Sequence, residues 1–294
     1  MLRLTRLALL AAGLLSLGAD CGPGGPLWQP QPARVEIDPF AHLGSERVWA
    51  ALAVGSEQSC GLSVQGEVFC RGFEGEEAPI GPRGPYTELA VGTEVCALNA
   101  EQLPSCWPDW VGAAAPVPPQ NSPLQGLSSA WGLWCGIDDD DAIVCWGEEE
   151  TARIPPADGS SYSQVAVGDM QTCALGPQGE LSCWGLAGAI EGMPAGEFQA
   201  VTAGAGASCA VTVAGSVSCW GDPGTLPPPP SDTARAVELH GRLGCLLTLD
   251  DEVLCWGAEL PPARYSDGPF VDISVGRAAG CGLTEEGRAE CWLL

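Results

Sequence analysis

Fifteen cysteines are the residues of this chain whose chemistry is most tightly constrained by spacing. Fourteen of them form pairs ten residues apart: Cys60 with Cys70, Cys96 with Cys106, Cys135 with Cys145, Cys173 with Cys183, Cys209 with Cys219, Cys245 with Cys255, and Cys281 with Cys291. Successive pairs follow every 36 to 39 residues, the period of a propeller or solenoid repeat. Zinc is one chemistry for paired cysteines, but it needs closer pairs or histidine partners. The only histidines, His42 and His240, cannot supply seven sites. Oxidation to disulfides needs only that the two cysteines lie opposite each other, and the residues around them predict that they do.

Other chemistry-bearing residues are few. Asp138, Asp139, Asp140 and Asp141 fall between two cysteines, where their carboxylates could hold calcium. They lack the glycine and the downstream acid of a calcium loop, so a solvated turn is the expectation. His240 falls where other copies place a strand-ending glycine or its neighbour, and is expected as a packing substitution rather than a general base. Trp131 and Trp134 lie outside the repeated tryptophan position, as do Trp28 and Trp110; the first two either line a binding surface or pack locally. No nucleophile motif, phosphate-binding glycine loop or metal-ligand spacing is present. No catalytic residue, metal ligand or cofactor is therefore assigned.

The elements that position the cysteines can be read by aligning on the first of each pair. Two residues later the side chain is always aliphatic: Leu62, Leu98, Ile137, Leu175, Val211, Leu247 and Leu283. The position between is small except at Leu246. Two residues before the second cysteine come Val68, Ile143, Leu181, Val217 and Val253. A period of two on both arms predicts β-hairpins with cysteines and aliphatics on one face. The sixth position after the first cysteine is glycine in four copies, Gly66, Gly179, Gly215 and Gly287. A three-residue hairpin loop needs positive φ at its last position, which glycine supplies without strain. Residues ten apart then oppose each other across the hairpin, within disulfide reach. Seven cross-strand disulfides are predicted, one per repeat.

Tryptophan follows the second cysteine in six copies and points to the opposite face, so each sheet is apolar on both sides and must stack between neighbours. Upstream lies a further apolar strand ending at or near glycine, as in Leu89-Ala90-Val91-Gly92, Val165-Ala166-Val167-Gly168 and Ile273-Ser274-Val275-Gly276. Proline-rich segments between repeats, such as Leu226 with Pro227 to Pro230, belong at edges or rims. Residues 34–37 are predicted to pair onto the last repeat and close a ring, removing the exposed sheet edge.

Residues 1–20 have the layout of an export signal, with Arg3 and Arg6 ahead of an apolar run too short to span a bilayer. Cys21, the odd cysteine, sits where a bacterial lipoprotein is lipidated, and residues 21–32 would form a Gly/Pro-rich tether ahead of a propeller at 33–294. Ordinary cleavage nearby, leaving Cys21 as a free or externally paired thiol, is the alternative. Lipidation would place the protein at the bacterial outer membrane or cell surface; without it, the protein is periplasmic or secreted. Export suits disulfides. The net charge is −25 and every basic residue is arginine. That balance argues against nucleic acid, whose recognition depends on clustered cations, and against an anionic membrane surface except through a lipid anchor.

The pattern Ala-Val-Gly, Cys-Ala-Leu, a turn and Val-x-Cys-Trp-Gly, clearest over residues 165–185 and 201–221, resembles the repeat of the regulator of chromosome condensation family. The resemblance covers residues 49–294 and implies an all-β, seven-bladed β-propeller. The short repeats are similar to bacterial secreted members, including the propeller-type β-lactamase inhibitory protein. The Gly-Gln-Leu-Gly stretch of longer repeats is absent, and the histidine often preceding Cys-Ala-Leu is replaced by Gln58, Gln171 and Ala207, so nucleotide exchange and chromatin binding do not transfer. The expectation is a non-enzymatic protein-interaction module with a protein partner. A carbohydrate-binding or adhesive propeller on cell-surface glycans is the alternative, and a polysaccharide lyase or hydrolase the third reading. A pair of carboxylates or a histidine facing a central pocket would favour the enzyme.

Overall fold

Strand alternation places the cysteines and aliphatics of each repeat on one face and the tryptophan on the other, so every hairpin has two apolar faces to bury. The fold answers this by stacking hairpins around an axis. The computed structural model describes residues 47–72, 83–108, 116–119, 122–147, 154–155, 159–222, 224–266, 268–277 and 279–294. They form a seven-bladed β-propeller with one disulfide in each blade. Each blade is a consecutive antiparallel meander. Its inner strand lines the axis: Trp49–Val54, Tyr86–Val91, Leu124–Ala130, Gln164–Val167, Phe198–Ala203, Ala234–His240 and Phe270–Val275 in chain order.

The middle and outer strands form the cysteine hairpin, with Cys60 opposite Cys70 and Cys281 opposite Cys291 in register. Cα atoms of the paired cysteines lie 4.0 to 4.1 Å apart. The sixth position after the first cysteine has positive φ in all seven blades: the four glycines, and also Gln102 (59°), Asp141 (58°) and Asp251 (64°). The turn geometry is therefore common to every blade, and glycine is only its least strained occupant.

A second device was not anticipated. In every blade but the fourth, which has Gly176 there, the side chain three residues after the first cysteine accepts from the backbone N–H four residues further on, as in Ser63 from Glu67 (3.1 Å), Asn99 from Leu103 (2.9 Å), Asp138 from Ala142 (2.9 Å) and Thr284 from Arg288 (3.1 Å). Such local caps lock a tight loop. The Asp138 carboxylate is thus engaged by its own turn, also accepting from the Asp140 N–H at 3.0 Å.

Adjacent blades are bonded by the same turns. The carbonyl at the positive-φ position accepts from the first residue of the next blade: Gly66 from Tyr86 (2.9 Å), Gln102 from Leu124 (2.8 Å), Gly179 from Phe198 (2.9 Å), and Gly287 from Trp49 (2.8 Å). The last of these joins blade seven to blade one, where Leu52 and Val54 share a buried cluster with Cys281 and Leu283. Between blades six and seven the device differs. Phe270 donates to Gly268 (3.0 Å), while Arg235 reaches the Phe270 carbonyl and pairs with Asp251 at 2.5 Å.

The small residue after the first cysteine makes room for the bulky residue that opens its own blade. A Cβ on Gly61 or Gly282 would meet the ring of Trp49 or Phe270 at 2.5 Å. In blade six the sizes are exchanged, Ala234 opening the blade and Leu246 taking the usually small position, both within one buried cluster.

Two features depart from a uniform array of strands. A single helical turn, Ala187–Ile190, follows blade four, and blade six alone carries a fourth described strand, Ala263–Ser266. Residues 1–20, Cys21, Trp28, residues 34–37, His42 and Trp110 lie outside the described residues.

Candidate functional site

Inner strands end in tight turns on one face of the disc, and glycine there lets neighbouring turns touch. A Cβ on Gly168 would lie 2.5 Å from the Gly204 carbonyl oxygen, and one on Gly204 would lie 2.7 Å from that of Gly241. Blades three and six depart from this pattern. Their inner and middle strands pair one residue further, Ala130 with Leu133 and His240 with Leu243. Both turns use left-handed backbone, at Trp131 (48°) with Gly132 (71°) and at Gly241 (56°). The extended turns present Trp131, His240 and Arg242 to the mouth of the axis.

There they border a funnel of about 1030 Å³. Its wall combines apolar groups, Trp131, Leu239, Leu243 and Leu260, with charged ones, Glu57, Asp169, Arg242, Glu259 and Arg277. Trp131 is 66% exposed, whereas Trp134 is fully buried, stacked on Trp146 with its Nε1 donating to Glu94 at 3.3 Å. The two tryptophans that sequence left undecided therefore divide: one is surface, the other core.

All of the charged groups but Asp169 of blade four gather over blades six, seven and one. Arg277 pairs with Glu57 at 3.5 Å, and Arg242 donates to the carbonyls of Gly224 (2.5 Å) and Thr225 (3.3 Å). His240 Nε2 lies 3.2 Å from Ser56 Oγ. Burial, then the Arg277 charge, push the His240 pKa down, so the imidazole is held neutral. A neutral histidine bonded to a serine is a base beside a nucleophile. Among the described residues, however, no carboxylate bonds the other ring nitrogen, as the orienting member of a catalytic triad would.

Below the funnel the axis continues as a channel of about 340 Å³. Two carboxylates line it, Glu238 of blade six and Asp272 of blade seven. Desolvation within the channel and the Asp272 charge push the Glu238 pKa up to about 8, and desolvation raises that of Asp272 despite its bond from the Ile273 N–H at 2.9 Å, although by accessible surface Glu238 is half-buried and Asp272 is exposed to the channel. A pair of carboxylates therefore faces the central channel, the feature that the sequence reading ties to an enzyme. Sequence reasoning missed Glu238, although it stands seven residues before Cys245, where five of the other six copies carry alanine, serine or threonine and blade two carries Leu89.

Among the described residues no cluster of three or more His, Cys, Asp or Glu could hold a metal ion, and no helix is long and apolar enough to cross a membrane. Seven disulfides suit an extracellular or other oxidising compartment.

No family model matches the sequence. The fold is nevertheless well represented among solved structures. The ectodomain of the Physcomitrella patens receptor kinase CR4 is 23% identical, over 84% of this chain and 74% of that one, with a TM-score of 0.67. The CRINKLY WD40 ectodomain of the Arabidopsis thaliana receptor kinase ACR4 is also 23% identical, over 84% of this chain and 98% of that one, at 0.68. Prp20p of Saccharomyces cerevisiae, the yeast regulator of chromosome condensation, is 12% identical over 83% and 81%, at 0.62. The chain has the propeller fold of these proteins, and at such identities the likeness is one of fold alone.

Proposed function

We propose that the funnel face docks a protein partner, with Trp131 as its apolar anchor. The observation that carries this reading is an exposed tryptophan beside apolar wall residues inside a charged border, the arrangement in which aromatic anchors dominate association. Prp20p is described as binding Gsp1p and histones, a precedent for protein binding on this fold. Export directed by residues 1–20, with lipidation at Cys21 and a tether over 21–32, would hold the disc at a bacterial envelope.

A glycan-binding propeller would present aromatic platforms blade after blade. Here Trp107, Trp220, Trp256 and Trp292 of the repeat are buried between strands, and Trp131 belongs to one blade only. A polysaccharide-cleaving enzyme could draw on Glu238 and Asp272, since paired carboxylates perform that chemistry. Those groups lie in a channel walled by the inner strands of all seven blades, below the funnel rather than along an open surface.

Affinity capture from envelope extract, using the oxidised mature propeller and its Trp131→Ala variant, tests the reading. A discrete protein retained by the parent and lost from the variant supports it. Protease-resistant polysaccharide retained by both contradicts it.

A further inference from the structure

The axial channel holds a charge arrangement that the fold does not use. At the position facing the axis and paired with the first cysteine, three blades carry alanine and three carry serine or threonine. The three hydroxyls are structural clamps: Ser128 accepts from the Val167 N–H (2.9 Å), Thr202 from Leu239 (3.2 Å) and Ser274 from Val54 (2.9 Å), each on the next blade. Glu238 occupies the equivalent position in blade six. Among the described residues it makes no such bond. Its neighbour on the axis is a second carboxylate, Asp272, and among the described residues no arginine lines the channel with them. The cations above are committed elsewhere, Arg277 to Glu57 and Arg242 to backbone carbonyls.

Funnel and channel are continuous, because Val91, Ser129, Val167, Ala203, Leu239 and His240 line both. Glu238 stands two residues below His240, about 7 Å along the strand. That depth matches the four-carbon stem of a lysine, and the channel's accessible lining is mainly polar, as a seated ammonium group requires. We propose that the channel is a socket for one lysine side chain of the docking partner, its ammonium group seated between Glu238 and Asp272. Complementarity of charge selects this occupant: two carboxylates without a counter-cation, in a chain of net charge −25 that contains no lysine of its own. The carboxyl pKa values, raised by burial and for Glu238 also by the Asp272 charge, agree with a site whose ionised form is favoured when a cation arrives. The inference rests on the docking reading, but it can fail separately.

The probes are Nα-acetyl-lysine methylamide and its uncharged norleucine counterpart, titrated into the full oxidised protein and followed by NMR and calorimetry at pH 7.5. The lysine derivative is expected to bind at least tenfold more tightly than the norleucine derivative, with proton release as Glu238 ionises. The isosteric Glu238→Gln, Asp272→Asn double variant is expected to lose at least tenfold of that affinity, whereas Trp131→Ala changes it less than twofold. Equal binding of the two derivatives to the parent protein overturns the socket without any variant. So does an unchanged lysine affinity in a double variant whose far-UV circular dichroism matches the parent. Loss of partner capture by Trp131→Ala, read independently, reports on docking and not on the socket.

Discussion

The Trp49 N–H donates to the Gly287 carbonyl at 2.8 Å, placing between the last and first blades the bond that Tyr86 and Gly66 make at 2.9 Å between the first and second. Closure of the ring is therefore one more copy of the inter-blade contact. It requires that neighbouring turns touch, and Gly276 of blade seven abuts the Gly55 carbonyl of blade one with no room for a Cβ. Gly276→Ala is expected to cost about 1 to 3 kcal/mol by overpacking. Gly188→Ala, where nothing lies within 4 Å, is expected to be neutral or mildly stabilising. Denaturant melts of the two variants check the contrast.

Each hairpin disulfide closes a short ring. Replacing Cys209 and Cys219 together by serine is expected to destabilise the fold by roughly 2 to 3 kcal/mol in the loop-closure account. Calorimetry of the oxidised variant would show it as a fall in midpoint of roughly 5 to 10 °C.

Gln102 holds a left-handed backbone at φ 59° in the turn where four other blades have glycine. Gln102→Gly removes that strain and is expected to stabilise by about 1 kcal/mol. A stability loss on substitution would mean that the side chain makes a compensating contact.

These turns explain what could be read from sequence. Cysteine spacing, aliphatic alternation and the glycines at positions such as Gly66 and Gly179 are local signals, each fixed within one hairpin, and together they carried the blade and its disulfide. The capping position was equally local and was overlooked: Ser63, Asn99, Asp138 and Thr284 share it. Asp138 illustrates the cost, since an acidic run that suggested calcium has its first carboxylate bonded to its own turn. Trp131 was not legible, because its exposure depends on turn conformation while Trp134, three residues on, is core. Glu238 became conspicuous only when the axis supplied its neighbour Asp272 from another repeat.

The channel carries a pH signature. Glu238, Asp272 and His240 are the titratable groups among its described lining residues. Glu238 has a folded pKa of about 8, above the ordinary glutamate value. The folded state then binds more protons than the unfolded one between the two values, so stability falls as pH rises through that window. Glu238→Gln is expected to match the parent near pH 5 and to exceed it near pH 9. Thermal melts across this range check the crossing, and parallel curves would contradict the assigned burial of the carboxyl.

The most direct measurement of the central claim is site-specific photo-crosslinking in the native envelope, with a benzophenone side chain replacing either Trp131 in the funnel or Val213, an exposed residue in the blade-five hairpin loop between Cys209 and Cys219. Docking through the funnel predicts a discrete protein adduct at position 131 and none at 213. An adduct at 213 alone, or a protease-resistant polysaccharide adduct at 131, would contradict it.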